Sequence, residues 1–145
     1  MRLSEIMSTP VATIPSGALA ADAALAMQRA RITHLVVLGR SRRIAGVVCD
    51  HDVRGVDPRT PIAELMSSPA ATLPANADVQ EAAKLLRRRD IGSVPVVDGK
   101  RLVGIVTTSD LLALLGKGAV RIQERTPKWT LPKRGPTHRP ELHRR

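Results

Sequence analysis

The run Gly104-Ile105-Val106-Thr107-Thr108-Ser109-Asp110 sets the hydroxyls of Thr107 and Ser109 beside the carboxylate of Asp110, where a β-branched stretch gives way to a Leu/Ala stretch. A carboxylate offers several acceptor positions and a hydroxyl can donate or accept, so the set suits hydrogen bonding to a polar ligand at a strand-to-helix turn. A related run, Gly46-Val47-Val48-Cys49-Asp50-His51-Asp52, lies 58 residues earlier, with a thiol and an imidazole beside Asp52. Two reactive readings attach to it. A Cys49 and His51 nucleophile pair needs the side chains within hydrogen-bond reach, which neighbours at i and i+2 on a strand end do not guarantee. A metal centre needs three or four converging ligands, and His34 is the only obvious further donor. Against both stands a structural role, in which Asp52 and Asp110 cap the helices that follow and Cys49 is a small, partly buried residue. No nucleophile or acid/base pair with a supporting third group can be read, so no catalytic residue is assigned and the chain reads as a non-enzyme.

The elements that carry these runs repeat. Met7-Ser8-Thr9-Pro10-Val11-Ala12-Thr13-Ile14-Pro15 recurs as Met66-Ser67-Ser68-Pro69-Ala70-Ala71-Thr72-Leu73-Pro74, and 12 of the 32 residues from Met7 to Leu38 are identical at an offset of 59. By the motif of Asp52 and Asp110 the offset is 58, so a hairpin loop absorbs the deletion. Short strands are predicted at 12–14 and 71–73, each stopped by a proline, and helices at 18–31 and 77–89 with Asn76 as an N-cap. In the second helix Val79, Ala82, Ala83 and Leu86 form an apolar face opposite Lys84, Arg87 and Arg88. Hairpins follow, 35–38 with 44–48 around Gly39-Arg40-Ser41, and 94–97 with 102–106 around Asp98-Gly99. A closing helix spans 110–115, its first-repeat counterpart is cut short by Gly55 and Pro58, and Thr60-Pro61 starts a linking helix. The fold class is thus α/β (α+β): two tandem βαββα repeats, 1–58 and 59–116, packed with pseudo-twofold symmetry because one unit of this size buries too little core alone. Such packing creates two related clefts.

Composition narrows the function further. The only residue among Phe, Trp and Tyr is Trp129, which excludes base-stacking aromatic platforms and aromatic cation cages. No apolar run is long enough to cross a bilayer, and the lone Cys49 suits a reducing compartment; a cytoplasmic protein without a membrane partner is expected. Of the formal charge of +10, +7 falls in residues 117–145, a Pro-rich segment with few aliphatics that is predicted to stay disordered from 121 onward. That tail is either a solvated extension or a weak electrostatic contact to nucleic acid or another polyanion. Arg87-Arg88-Arg89 reads as a solvated helix end interacting with the macrodipole, and secondarily as a phosphate contact.

With its repeats in place, the chain resembles the cystathionine-β-synthase-type (CBS) domain pair, or Bateman module. Ile6-Met7-Ser8-Thr9-Pro10, Ile32 to Leu38 and above all 104–110 carry the resemblance, the last run looking like the family's Gly-x-x-Thr/Ser-x-x-Asp signature. It covers residues 3–116 and implies a regulatory module that senses adenosine-containing ligands such as AMP, ADP or ATP, with S-adenosylmethionine and NAD as further candidates. By the family pattern, Thr107, Ser109 and Asp110 hold ribose and phosphate, Ile105 lines the pocket, and Ser8, Thr13, Ile32 and Thr33 of the other repeat surround adenine. The following helix turns its free N–H groups toward phosphate. The mirror site joins His34, Cys49, His51 and Asp52 to Ser67, Thr72, Ile91 and Gly92. It departs from the pattern, because Cys49 replaces a hydroxyl and Asp50 adds a charge that repels phosphate unless a protonated His34 or His51 compensates. The resemblance also implies a homodimer and a protein effector. The competing readings are a structural, dimerising protein with empty clefts and a nucleic-acid-associated protein acting through its basic tail.

Overall fold

Val and Ile dominate both hairpins, and they pair as strands buried on both faces should. In the computed structural model, which describes residues 1–117, the chain forms two three-stranded sheets. In the first, β1 (Thr13–Pro15) runs parallel to β2 (His34–Leu38), which pairs antiparallel with β3 (Ile44–Cys49). In the second, β4 (Leu73–Pro74), β5 (Ser93–Asp98) and β6 (Arg101–Thr107) repeat the pattern. Helices α1 (Ala20–Ala30) and α4 (Val79–Arg89) make the crossovers, α2 (Asp50–Val53) and α5 (Thr108–Gly116) close the repeats, and α3 (Ile62–Leu65) links them. This is the mixed α and β architecture of two βαββα repeats. No helix among the described residues is long and apolar enough to cross a membrane. The tail expectation falls on residues 118–145, outside the described residues.

Local details differ from the sequence reading for identifiable reasons. Pro15 and Pro74 end β1 and β4 from within, because both are edge strands where a missing N–H costs no ladder bond. The N-cap of α4 is Asp78, whose carboxylate accepts from Gln80 N at 2.8 Å, and not Asn76. That helix buries Val79, Ala82 and Leu86 but leaves Ala83 exposed, a narrower stripe than the sequence suggested. The second hairpin turns at Gly99 and Lys100, since Asp98 pairs with Arg101.

The repeats interleave. Leu3, in a 3-10 turn at Leu3–Glu5, is fully buried with Ala77, Val79, Ala82 and Val106 of the second repeat. Ile62 of α3 is fully buried with Ile14, Ala23, Leu35 and Val48 of the first. Burying each of these side chains stabilises by roughly 1.5–3 kcal/mol, enough to hold each lead segment on the opposite repeat's core. Backbone bridges complete the exchange: Ser8 pairs with Ile105, and Ser67 with Val47.

Those crossings explain the glycines that open both motifs. A Cβ on Gly46 would lie 2.5 Å from Ser67 O and 2.9 Å from Met66 Sδ, and one on Gly104 would collide with the Met7 thioether. Only hydrogen at these positions lets the crossing segment approach.

Candidate functional site

Each motif ends in a capped helix. Thr107 N donates to Asp110 Oδ2 at 2.8 Å and Asp110 N donates to Thr107 Oγ1 at 3.2 Å, a reciprocal box at the start of α5. Cys49 N likewise donates to Asp52 Oδ2 at 2.8 Å. The capping role is therefore present at both aspartates. It leaves Asp110 Oδ1 free to meet the Ser8 hydroxyl, 3.5 Å away at the edge of hydrogen-bond range.

Around this carboxylate lies a cleft of about 700 Å³ built from both repeats. Ser8, Ile32, Thr33, Ile105, Thr107, Ser109 and Asp110 all line it. Thr13 is the one expected residue that does not; it faces a neighbouring cavity at the hairpin tips. The sequence reading missed Arg31, which lines the cleft from the left-handed position (φ 56°) that ends α1. A cation immediately after a helix and before Ile32-Thr33 is the signal that could have identified it. In the first turn of the nine-residue α5, which borders the same space, Thr108 N donates to Gly92 O at 3.1 Å and Asp110 N to Thr107 Oγ1, so Ser109 N is the amide left over.

The second cleft, of about 580 Å³, is lined by His34, Cys49, Asp52, Ser67, Ile91 and Gly92, among others. His51 and Thr72 are exposed and do not line it. Asp50, expected as a repelling charge, is paired with Arg54 at 3.0 Å and faces away from the cleft. The negative charge there comes from Asp52 and from Asp90, which occupies the left-handed position (φ 52°) matching Arg31. Arg89 of the arginine run reaches this lining, so that run is not solely a solvated helix end. The helix behind the cleft, α2, has four residues and a correspondingly slight dipole.

One imidazole belongs to both clefts. His34 lines each of them, approaches Thr33 Oγ1 through Nδ1 at 3.0 Å, and lies so close over Gly92 that a Cβ there would be 2.7 Å from Nε2. Burial pushes its pKa below the ordinary 6.5, opposed by the Asp50 and Asp52 carboxylates. The ring is thus neutral near pH 7 and supplies no compensating charge to the second cleft. Burial pushes the Cys49 thiol up, the Asp52 carboxylate adds to this while the backbone N–H groups of Asp52 and His51 oppose it, and the net upward shift disfavours the thiolate a nucleophile or metal ligand requires. Among the described residues no three His, Cys, Asp or Glu side chains converge as a metal site would need.

Comparison with known proteins agrees with the geometry. The family model described as "CBS domain" matches residues 3–58 and again 62–117. Hypoxic response protein 1 of Mycobacterium tuberculosis is 31% identical over 123 residues, covering 80% of this chain and 86% of that protein. Among solved structures, the CBS domain pair of protein MJ0100, in complex with 5'-methylthioadenosine and S-adenosyl-L-methionine, superposes with a TM-score of 0.76 at 27% identity, covering 81% of this chain and 98% of that one. The cytosolic domain of the Mg2+ channel MgtE in complex with ATP superposes with a TM-score of 0.68 at 28% identity, over 78% and 48%. The chain spans about a quarter of other curated relatives it matches, such as 24% of a homoserine O-acetyltransferase of Methanohalobium evestigatum.

Proposed function

This chain belongs to the CBS domain family, and we propose from that premise that it is a regulatory module that binds an adenosine-containing ligand in the cleft holding Asp110. The observation that carries the reading is the division of labour at Asp110: Oδ2 is committed to Thr107 N, while Oδ1 faces a cavity walled by the other repeat. A ribose presents two vicinal hydroxyls, and a carboxylate oxygen beside Ser8, Thr107 and Ser109 is suited to accept them. Ile32 and Ile105 offer apolar surfaces for a flat base, and Arg31 with the start of α5 attracts phosphate. The ligands bound by MJ0100 and by MgtE share the adenosine unit, which supports the same class here.

The second cleft is the weaker site, because it combines Asp52 and Asp90 with a neutral His34 and a short helix. Ligand class separates from ligand identity by experiment. Thermal unfolding of the full chain is measured with adenosine, AMP, ADP, ATP, NAD and S-adenosylmethionine, since a ligand held only by the native state raises its stability. A rise with at least one of them is expected. No shift with any at millimolar concentration would leave the clefts as structural and favour the reading of a dimerising protein. The exposed Leu25 and Leu112, on α1 and α5, are the features that favour an interface between copies in either case.

A further inference from the structure

The hairpin joining β2 to β3 turns through Ser41 and Arg42, both left-handed at φ 55° and 59°, with Arg43 N donating to Arg40 O at 3.1 Å. Such a turn normally selects Asn-Gly, because L side chains are disfavoured at positive φ. The strain is accepted here at a residue carrying charge. The other hairpin turns through Gly99 (φ 63°) and Lys100, and the offset of 58 makes Lys100 the counterpart of Arg42.

These two tips meet. Ser41 and Arg42 from one, and Lys100 and Arg101 from the other, line a single cavity of about 660 Å³. It shares only Pro10 and Val11 with the Asp110 cleft, and it contains the displaced Thr13. No carboxylate lines it. Among the described residues Arg42 and Lys100 have no acidic partner within 4.0 Å, and Arg101 reaches Asp98 only at 3.9 Å. Arg42, Lys100 and Arg101 are exposed cations on one lining, so an anion seated there meets positive charge from both hairpins. Leu38, Leu102 and Val103 give the same cavity apolar walls, and its volume suits a small molecule.

We infer that this cavity is a binding site for a phosphorylated small molecule, separate from both clefts and formed only where the two hairpins meet. Guanidinium and ammonium groups contributed by two hairpins to one concave space match the several oxygens of a di- or triphosphate. The site does not depend on the adenosine reading.

Amide resonances of the full chain are followed while inorganic tripolyphosphate is added. The expected result is movement at Ser41, Arg42, Gly99 and Lys100. The double variant R42Q/K100Q should weaken binding about tenfold or more, because it removes charge-assisted bonds. R40Q/R43Q removes equal charge from side chains outside the lining and should weaken binding less than about twofold, as expected of screened surface charge. Equal weakening by the two pairs, movement confined to 107–110 or 118–145, or tighter binding of duplex DNA at the same tips would overturn the proposal. Adenosine, which has no phosphate, reports on the Asp110 cleft alone, so failure of that reading is a distinct result.

Discussion

Ser8 and Ile105 exchange both backbone hydrogen bonds, Ser8 N donating to Ile105 O at 2.9 Å and Ile105 N donating to Ser8 O at 3.2 Å. This bridge joins the start of the chain to the strand that leads into Asp110. It places the Ser8 hydroxyl against that carboxylate and fixes the width of the cleft between them. Ser67 and Val47 make the matching bridge at the second cleft, with distances of 2.8 and 3.1 Å. The residues that line each cleft from one repeat are thus held in place by hydrogen bonds to the other.

Replacing Asp110 should separate its two roles. Asp110→Ala is expected to weaken an adenosine ligand by about 1.5–3 kcal/mol, the range for hydrogen bonds to a charged group, and to cost about 1 kcal/mol of stability through the lost cap. Asp110→Asn keeps an acceptor for Thr107 N and should retain most of the stability while still losing affinity. Calorimetric titration beside urea denaturation measures both quantities. Unchanged affinity in a folded Asp110→Ala protein would remove this residue from the site.

The motif glycines should differ in sensitivity. Gly46→Ala meets a backbone oxygen, Ser67 O, whereas Gly104→Ala meets only side-chain atoms, those of Met7 from Sδ back to Cβ. Overpacking of this kind costs typically about 1–3 kcal/mol, with Gly46→Ala at the upper end and Gly104→Ala at the lower. Denaturant midpoints of the two variants give the order, and a reversed order would contradict the close approach of Ser67.

His34 should make stability fall in mild acid. Its native pKa is lowered from 6.5 by burial, so as pH drops below 6.5 the unfolded chain takes up protons before the native one. Stability contributed by the neutral ring is present above 6.5 and declines until the native pKa is passed, where the loss levels off. His34→Gln should flatten this part of the profile, as read from denaturation curves between about pH 5 and about pH 8. A slope unchanged by the substitution would assign it to other groups.

Leu112 should mark an interface between copies. It is 60% exposed on α5, so Leu112→Glu removes an apolar contact without opening the core. Light scattering is expected to return twice the chain mass of 15.6 kDa for the native protein and a shift toward the single-chain mass for the variant. A single-chain mass for the native protein across micromolar concentrations would count against the dimer.

The apolar strand runs, the turn residues and the 59-residue repeat are local or periodic signals, and they were enough to read two βαββα repeats and both Asp-ended motifs. Seven of the eight residues expected at the first cleft do line it, because the motif and the lead segment are each short stretches whose own backbone turns them inward. Distance in sequence hid the remainder. Nothing local in Leu3 or Ile62 says that each is buried in the other repeat's core, because that choice depends on which apolar face is left open once both sheets have formed. The same holds for charge. Asp50 reads as a threat to a phosphate and His34 as a possible cation; only packing put Arg42 and Lys100 on one cavity and buried the imidazole so that its neutral form is favoured, whereas the Asp50–Arg54 pair is an i,i+4 contact that spacing alone could have shown. Residue types determine what chemistry is available, while the crossing of segments from different repeats, such as Ser8 with Ile105 and Ser67 with Val47, decides which groups share a space and how much water remains around them.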